Sequence, residues 1–288
     1  MKINQITPDT SIYLQGLTSI AKPPDKLYYM GTLPAERRPT LAVIGTRKPT
    51  NYGKEVVSSL VSSIAKHGVI IVSGLALGMD ALAHQTALEA GGTALAIIPS
   101  TLPRIVPATN RDLAERIIQS GGAIISEHGE NDDDYIVGKW SFLERNRLVA
   151  GISDAVLIIE ASVRSGTMNT AMYALEQGKD VFVVPGNITS PQSGGCNALI
   201  KQGALPVTDP DDILEKLLPG YRPSQTSLPL GTNPTEVAIL SALQSGLRDA
   251  DEIQRATNID PTDLSMALTM LEISGSIKAL GGNMWRVN

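Results

Sequence analysis

The segment Ala155-Val-Leu-Ile-Ile159 runs through five apolar residues to Glu160 and then to the turn Arg164-Ser165-Gly166-Thr167. An unbroken apolar run that ends in a glycine turn and a helix-length segment describes a strand buried on both faces that feeds a helix. Leu41-Ala-Val-Ile44, Val69-Ile-Ile-Val72, Thr93-Ala-Leu-Ala-Ile-Ile98, Ala123-Ile-Ile125 and Val181-Phe-Val-Val184 repeat the pattern. Gly, Ser or Pro closes each run and an amphipathic segment follows it. Over residues 41–218 this alternation predicts an α/β domain with a doubly wound, mostly parallel sheet.

Outward from that core, residues 1–40 are broken by Pro8, Pro23, Pro24, Pro34 and Pro39, which predicts a short helical lead-in packed on the larger domain. Residues 219–233 are rich in turn formers and lack periodicity, as a linker does. Residues 234–288 predict three helices, at 235–244, 249–257 and 261–274, and a hairpin over 276–287 that turns at Gly281-Gly282. That order is a small C-terminal winged-helix domain. Its third helix contains no Lys or Arg. The module as a whole carries four basic residues (Arg248, Arg255, Lys278, Arg286) against seven acidic ones (Glu236, Asp249, Asp251, Glu252, Asp260, Asp263, Glu272). Duplex reading by this helix is therefore not expected, because affinity for the DNA backbone comes from cations.

No apolar run among the 288 residues approaches the roughly 20 needed to span a bilayer. The N-terminus lacks the pattern of a secretory signal, and the single cysteine, Cys196, cannot form an internal disulfide. A cytoplasmic protein is expected. The net charge of −5 excludes a wholly basic coat but allows a local positive strip on an acidic body.

Ligands of open α/β sheets bind outside the carboxyl ends of the strands. Four turns fall there: Gly45-Thr46-Arg47, Ser73-Gly-Leu-Ala-Leu-Gly78, Arg164-Ser165-Gly166-Thr167 and Pro185-Gly186-Asn187. Glycine lets the backbone approach an anion, and the following helix offers unpaired N–H groups. In any single turn the glycine has a plainer use, closing a tight strand-to-helix connection; four such turns, two with an adjacent Arg, favour phosphate. The first turn lacks Gly-x-Gly-x-x-Gly, and the second strand ends in Ser73-Gly74 rather than an acidic residue for a ribose, so a nicotinamide cofactor is not supported. A Gly-x-x-x-x-Gly-Lys-Ser/Thr loop is also absent. No cofactor and no metal are expected.

Val43-Ile-Gly-Thr-Arg47, Ser73-Gly-Leu-Ala-Leu-Gly-Met-Asp80 with Ala83-His84, Phe142-Leu-Glu-Arg-Asn-Arg147, Glu160-Ala-Ser-Val-Arg-Ser-Gly-Thr167 and Val184-Pro-Gly-Asn187, taken in order, resemble the bacterial DNA processing protein A family, DprA or Smf. The resemblance covers residues 41–217. It implies a Rossmann-like domain that forms homodimers, binds single-stranded DNA and loads the RecA recombinase during natural transformation. A C-terminal winged helix is common in such proteins. The sequence departs from the family's usual wording at Thr46, Leu77 and Asn169, and Leu77 removes a cation.

By the resemblance, Arg47 holds a DNA phosphate, and Lys139 with Arg145 or Arg147 lines the same groove. Phe142 offers a base a stacking face, and Gly45, Thr46, Asn146, Ser165, Gly166, Thr167 and Asn187 supply backbone approach and hydrogen bonds. Cations along a backbone with an aromatic platform are what sequence-tolerant strand binding needs, each stacked base contributing about 1–3 kcal/mol. Phe142 at a helix start has a core role as its alternative. Arg145 and Arg147, two apart, cannot share a helix face. One of them is expected to pair internally, with Glu144 or Glu160, and the other to meet DNA. Asp80 and His84, four apart, lack a third ligand and are read as structural. Asp132-Asp133-Asp134 reads as a solvated loop and Cys196 as an inert buried thiol.

Two other functions remain. One is a nucleotide-binding or nucleoside monophosphate phosphoribohydrolase-like enzyme on a related sheet; it needs a carboxylate where Thr170 stands. The other is a nucleotide sensor signalling through the acidic tail. With no catalytic base in view, the chain is read as a non-enzymatic binder.

Overall fold

The computed structural model describes residues 2–130, 132, 135–223 and 233–287. Two compact units divide the chain, Met1–Tyr221 and Arg222–Asn288.

In the first unit the strands are β1 (Asn4–Ile6), β2 (Leu27–Gly31), β3 (Thr40–Ile44), β4 (Ile70–Ser73), β5 (Ala94–Ile97), β6 (Ala123–Ser126), β7 (Ala155–Ile158), β8 (Asp180–Val183) and β9 (Leu205–Pro206). They form one sheet in the order β1-β2-β6-β5-β4-β3-β7-β8-β9. From β3 to β6 the chain steps outward in one direction, then returns to lay β7 on the other side of β3. The β3/β7 boundary is the point where the winding reverses, and a crevice opens at such a point.

Successive residues of β3 serve opposite cores. Leu41 and Val43 pack against α1 (Asn51–Lys66), α2 (Met79–Glu89) and α7 (Asp211–Leu217). Ala42 and Ile44 pack against α4 (Lys139–Ile152), α5 (Gly166–Glu176) and α6 (Gly194–Lys201). This two-sided burial is why the strand runs read as continuous rather than alternating. Each large aliphatic side chain removed from water contributes about 1.5–3 kcal/mol. A third cluster closes the far end of the sheet with α3 (Arg111–Gln119), through Ala114 and Ile117.

The first forty residues, read as a helical lead-in, instead hold two short 3-10 turns, Pro8–Thr10 and Gln15–Ser19, and the strands β1 and β2. β2 pairs antiparallel with β6 and β1 with β2, so this segment extends the sheet. Tyr13, Leu14 and Leu17 are buried in the main core. The Tyr13 hydroxyl donates to the Glu36 carbonyl at 2.5 Å and accepts from Arg38 N at 2.9 Å.

The second unit comprises α8 (Pro234–Gln244), α9 (Ala250–Thr257), α10 (Pro261–Ile273) and the antiparallel hairpin β10 (Ile277–Gly281) with β11 (Met284–Val287). Asn233, Asp249 and Asp260 cap the three helices, each side chain accepting from a first-turn N–H. On α10, Leu264, Ala267, Leu268 and Leu271 recur at helical spacing and fill the core with Ile239, Ile253 and Ile277. This is a winged-helix domain. Of the expected linker, residues 224–232 lie outside the described residues, as do Asp133 and Asp134 of the acidic run. Among the described residues, no helix is long and apolar enough to cross a membrane.

Candidate nucleic-acid interface

A cleft of about 650 Å³ opens at the reversal point of the sheet. Its walls come from three distant stretches: the turn after β3, the first half of α4, and the turn leading into α5. Gly78 and Gly74 let these pieces meet. Gly78 has φ of +83°, and a Cβ there would sit 2.5 Å from the Arg47 carbonyl carbon. The next residue, Met79, donates its N–H to the Thr46 carbonyl at 3.0 Å, which ties the Thr46-Arg47 turn to the start of α2. At Gly74 a Cβ would lie 2.4 Å from the Arg145 guanidinium.

Arg47, Lys139 and Arg164 are exposed and line the cleft. Phe142 is half-buried on the same wall, with the Arg47 guanidinium carbon 5.1 Å from its ring centroid, a cation–π contact. Its ring therefore faces the cleft rather than the core. Ser165 stands at the N-cap of α5, and its hydroxyl is buried without a partner among the described residues. The first turn of α5 has no acidic side chain, so its positive dipole end meets no carboxylate of its own. Thr167 donates its hydroxyl to the Gly45 carbonyl at 3.1 Å, and the Asn146 amide donates to the Gly166 carbonyl at 3.4 Å. Those two bonds join the three walls.

Both arginines of the Arg145-Asn-Arg147 run turn inward. Arg145 forms part of the cleft floor, donating to the Gly74 carbonyl at 2.6 Å and to the Ile97 carbonyl. Burial lowers its pKa to about 10, opposed by the Asp80 carboxylate, so it stays charged at neutral pH. Arg147 lies away from the cleft, in a paired contact with Glu127 at 2.8 and 2.6 Å, and its Nε donates to the Lys22 carbonyl at 3.0 Å. The expected partners are engaged elsewhere. Glu144 pairs with Lys22, and Glu160 accepts from the N–H and hydroxyl of Thr50 at 2.9 and 2.5 Å. The cause is that α4 is covered on two sides, by the sheet and by the N-terminal segment, so neither arginine face is left to solvent.

Asn187 also sits apart, beside a separate cavity of about 430 Å³ bordered by Tyr52 and Glu160. Its side-chain oxygen accepts from the N–H and hydroxyl of Thr189 at 2.9 and 2.8 Å, the bonding of a local turn. The cleft thus gathers Gly45, Thr46, Arg47, Lys139, Phe142, Arg145, Asn146, Ser165, Gly166 and Thr167. Arg164 joins them, a cation legible in the Arg164-Ser-Gly-Thr turn but not singled out. Leu77, in the turn after β4, is exposed.

Among the described residues, the one carboxylate lining the cleft is Asp80, buried and accepting from Gly74 N–H at 3.1 Å. Burial raises its pKa, with Arg145 pulling the other way. His84, on the same helix, is pushed by burial and by the Arg145 charge down to about 3, so it is neutral. Thr170, where a phosphoribohydrolase needs a carboxylate, lines the cleft as a buried hydroxyl. Cys196 is buried, its thiol pushed by burial up to about 11. Among the described residues, no three His, Cys, Asp or Glu side chains converge as a metal site would require.

A family model described as DNA recombination-mediator protein A matches residues 4–218, and one described as the DprA winged helix domain matches residues 223–283. The chain is 34% identical to Protein Smf of Escherichia coli (strain K12), over 98% of this chain and 77% of that one. It is 38% identical to DNA processing protein DprA of Bacillus subtilis (strain 168), over 75% of this chain and 71% of that one. Of solved structures, DNA processing protein A from Streptococcus pneumoniae superposes with a TM-score of 0.69 at 34% identity, covering 75% of each chain. DNA processing protein A from Helicobacter pylori, solved for its single-stranded DNA binding mode, superposes with a TM-score of 0.66 at 33% identity, covering 77% of this chain and 98% of that one.

Proposed function

The chain belongs to the DNA recombination-mediator protein A family, and we propose that it binds single-stranded DNA in the cleft at the reversal point of its sheet. One observation carries this reading. Three exposed cations, Arg47, Lys139 and Arg164, and the acid-free N-terminus of α5 line one cleft, whose only carboxylate among the described residues is the buried Asp80.

A strand laid through the cleft places its phosphates against these cations and the α5 N–H groups, with Arg145 adding positive charge from below. Lys139 supports the assignment from a different direction. It is the first residue of α4, where a cation opposes the helix dipole, and a bound phosphate relieves that conflict. The Phe142 ring takes a base by stacking, which every base can satisfy, so the binding is tolerant of sequence. A duplex hides its bases and gains nothing from the ring. Binding needs no chemical step.

The family supplies the wider frame of the proposal: a cytoplasmic homodimer that joins two clefts into one longer path, raising avidity without new contacts, and delivers the strand to the RecA recombinase in natural transformation. The winged helix is assigned a protein contact. Its α10 presents Met266, Met270 and Ile273 to solvent and has no Lys or Arg for a phosphate.

Fluorescence anisotropy of labelled oligo-dT and of matched duplex, across a salt series, tests the reading. Preference for the single strand, with Arg47→Ala weakening it and flattening the salt slope by about one counterion, supports it. Absence of binding to every oligonucleotide overturns it in favour of a small nucleotide.

A further inference from the structure

Helix α4 serves the cleft with Lys139, Phe142, Leu143 and Asn146, positions i, i+3, i+4 and i+7 of one helical face. The adjacent face, shifted by one residue, consists of Trp140, Leu143, Glu144 and Arg147, and it lines a second cavity of about 450 Å³. Helix α5 repeats the division. Thr167, Asn169 and Thr170 face the cleft, whereas Asn169, Tyr173, Glu176 and the C-cap residue Gln177 face the second cavity. Leu143 and Asn169 therefore border both, and form the ridge between two adjoining hollows.

The chemistry of the second cavity differs from that of the first. Its cations are already neutralised, Lys22 by Glu144 and Arg147 by Glu127, so it has no free charge for a phosphate. Its wall instead includes Tyr173 and an indole, Trp140, that is 74% exposed. An exposed tryptophan at the rim of a hollow lacks the cover such a side chain normally finds. Nearby, the amide oxygens of Asn169 and Gln177 are buried without a partner among the described residues. A flat, neutral group with an apolar face and polar edges suits this lining, and a nucleobase is such a group.

We propose that the second cavity seats a base of the same single strand whose backbone occupies the cleft, with Trp140 as its stacking surface and the Leu143–Asn169 ridge as the step between the two sites. The proposal rests on the strand-binding reading of the cleft. Continuity favours a base over an apolar peptide: a strand leaving the Phe142 wall meets the ridge, and Trp140 lies beyond it on the same helix.

The chain has two tryptophans, Trp140 and Trp285, so Trp285→Phe leaves Trp140 as the sole indole reporter. In that background, oligo-dT and an abasic oligonucleotide of equal length and charge are titrated with emission and anisotropy read on the same samples. The expected result is quenching of Trp140 by oligo-dT and little by the abasic strand. Trp140→Ala weakens oligo-dT about tenfold with an unchanged salt slope, since a stacked base and no charge is lost, and Trp140→Phe restores most of the affinity. Anisotropy showing strand binding with no base-dependent quenching and no loss in Trp140→Ala overturns the second site and leaves the cleft intact, pointing to a protein ligand at Trp140. Absence of any anisotropy change overturns the cleft reading and the second site together.

Discussion

Arg47 and Phe142, ninety-five positions apart in sequence, meet face to cation across the mouth of the cleft, 5.1 Å from guanidinium carbon to ring centroid. On the proposed reading, a phosphate holder and a base platform are thus in contact before any strand arrives.

That contact makes the two side chains interdependent. Phe142→Ala is expected to weaken oligo-dT by roughly five- to 150-fold, the equivalent of one stacked base, and to leave the salt slope unchanged. Arg47→Ala flattens the slope. Because each positions the other, the double variant loses less than the sum of the two single losses. A double-mutant cycle by anisotropy checks this, and strict additivity refutes the coupling.

Arg147→Ala acts on stability instead of binding. It leaves Glu127 without its paired guanidinium in a largely buried setting, at a cost of about 2–4 kcal/mol. Urea unfolding of the first unit is expected to shift accordingly, while the salt slope of strand binding stays at its wild-type value. A loss of salt slope would place Arg147 on the DNA path.

Gly74→Ala drives a methyl group toward the Arg145 guanidinium, which cannot retreat without giving up the Gly74 and Ile97 carbonyls. The expected cost is about 1–3 kcal/mol. Loss of strand affinity accompanies it, as the charged floor is displaced. Chemical denaturation and anisotropy read the two effects separately, and wild-type values for both contradict the floor assignment.

His84 gives the fold a dependence on pH. Its folded pKa of about 3 lies below the unfolded value of 6.5, so between the two the unfolded chain binds the extra proton. The stability it allows is complete above pH 6.5 and falls as the solution is acidified, by up to about 1.4 kcal/mol per pH unit. Asp80, raised by burial, works in the opposite sense. Between pH 7 and 5, His84→Gln is therefore expected to flatten the pH dependence of unfolding; an unaltered slope would show that the wild-type loss comes from other groups.

The central strands β3 to β8 were legible because burial on both faces leaves an unmistakable run of Val, Ile, Leu and Ala. The winged helix was legible through its caps and the 264, 267, 268, 271 spacing. Strands β1 and β2 were hidden, since prolines surround Leu27–Gly31 and its partner β6 lies about a hundred residues away. In the site, the Gly45-Thr-Arg47 and Ser165-Gly-Thr167 turns could be found from local pattern alone. The inward fate of Arg147 could not, because Glu127 and Lys22 reach it only through the tertiary fold. Trp140 is illegible in sequence for a related reason: a single exposed aromatic acquires meaning only when Tyr173 and Leu143 border the same hollow.

The pairing of β3 with β7 joins Leu41 to Ala155, and the cleft sits at that seam. Its parts lie at 44–47, 76–80, 139–146 and 164–170, and the chain must close this long loop before they can cooperate. Parallel pairing over such a separation is slow, because the entropy of closure is spent before the contacts return it. A chain emerging from the ribosome therefore has no cleft at this seam until β7 has been made and has found β3. The cleft is complete only once the turn into α5 follows β7, and a product cut short before Thr170 lacks part of its wall.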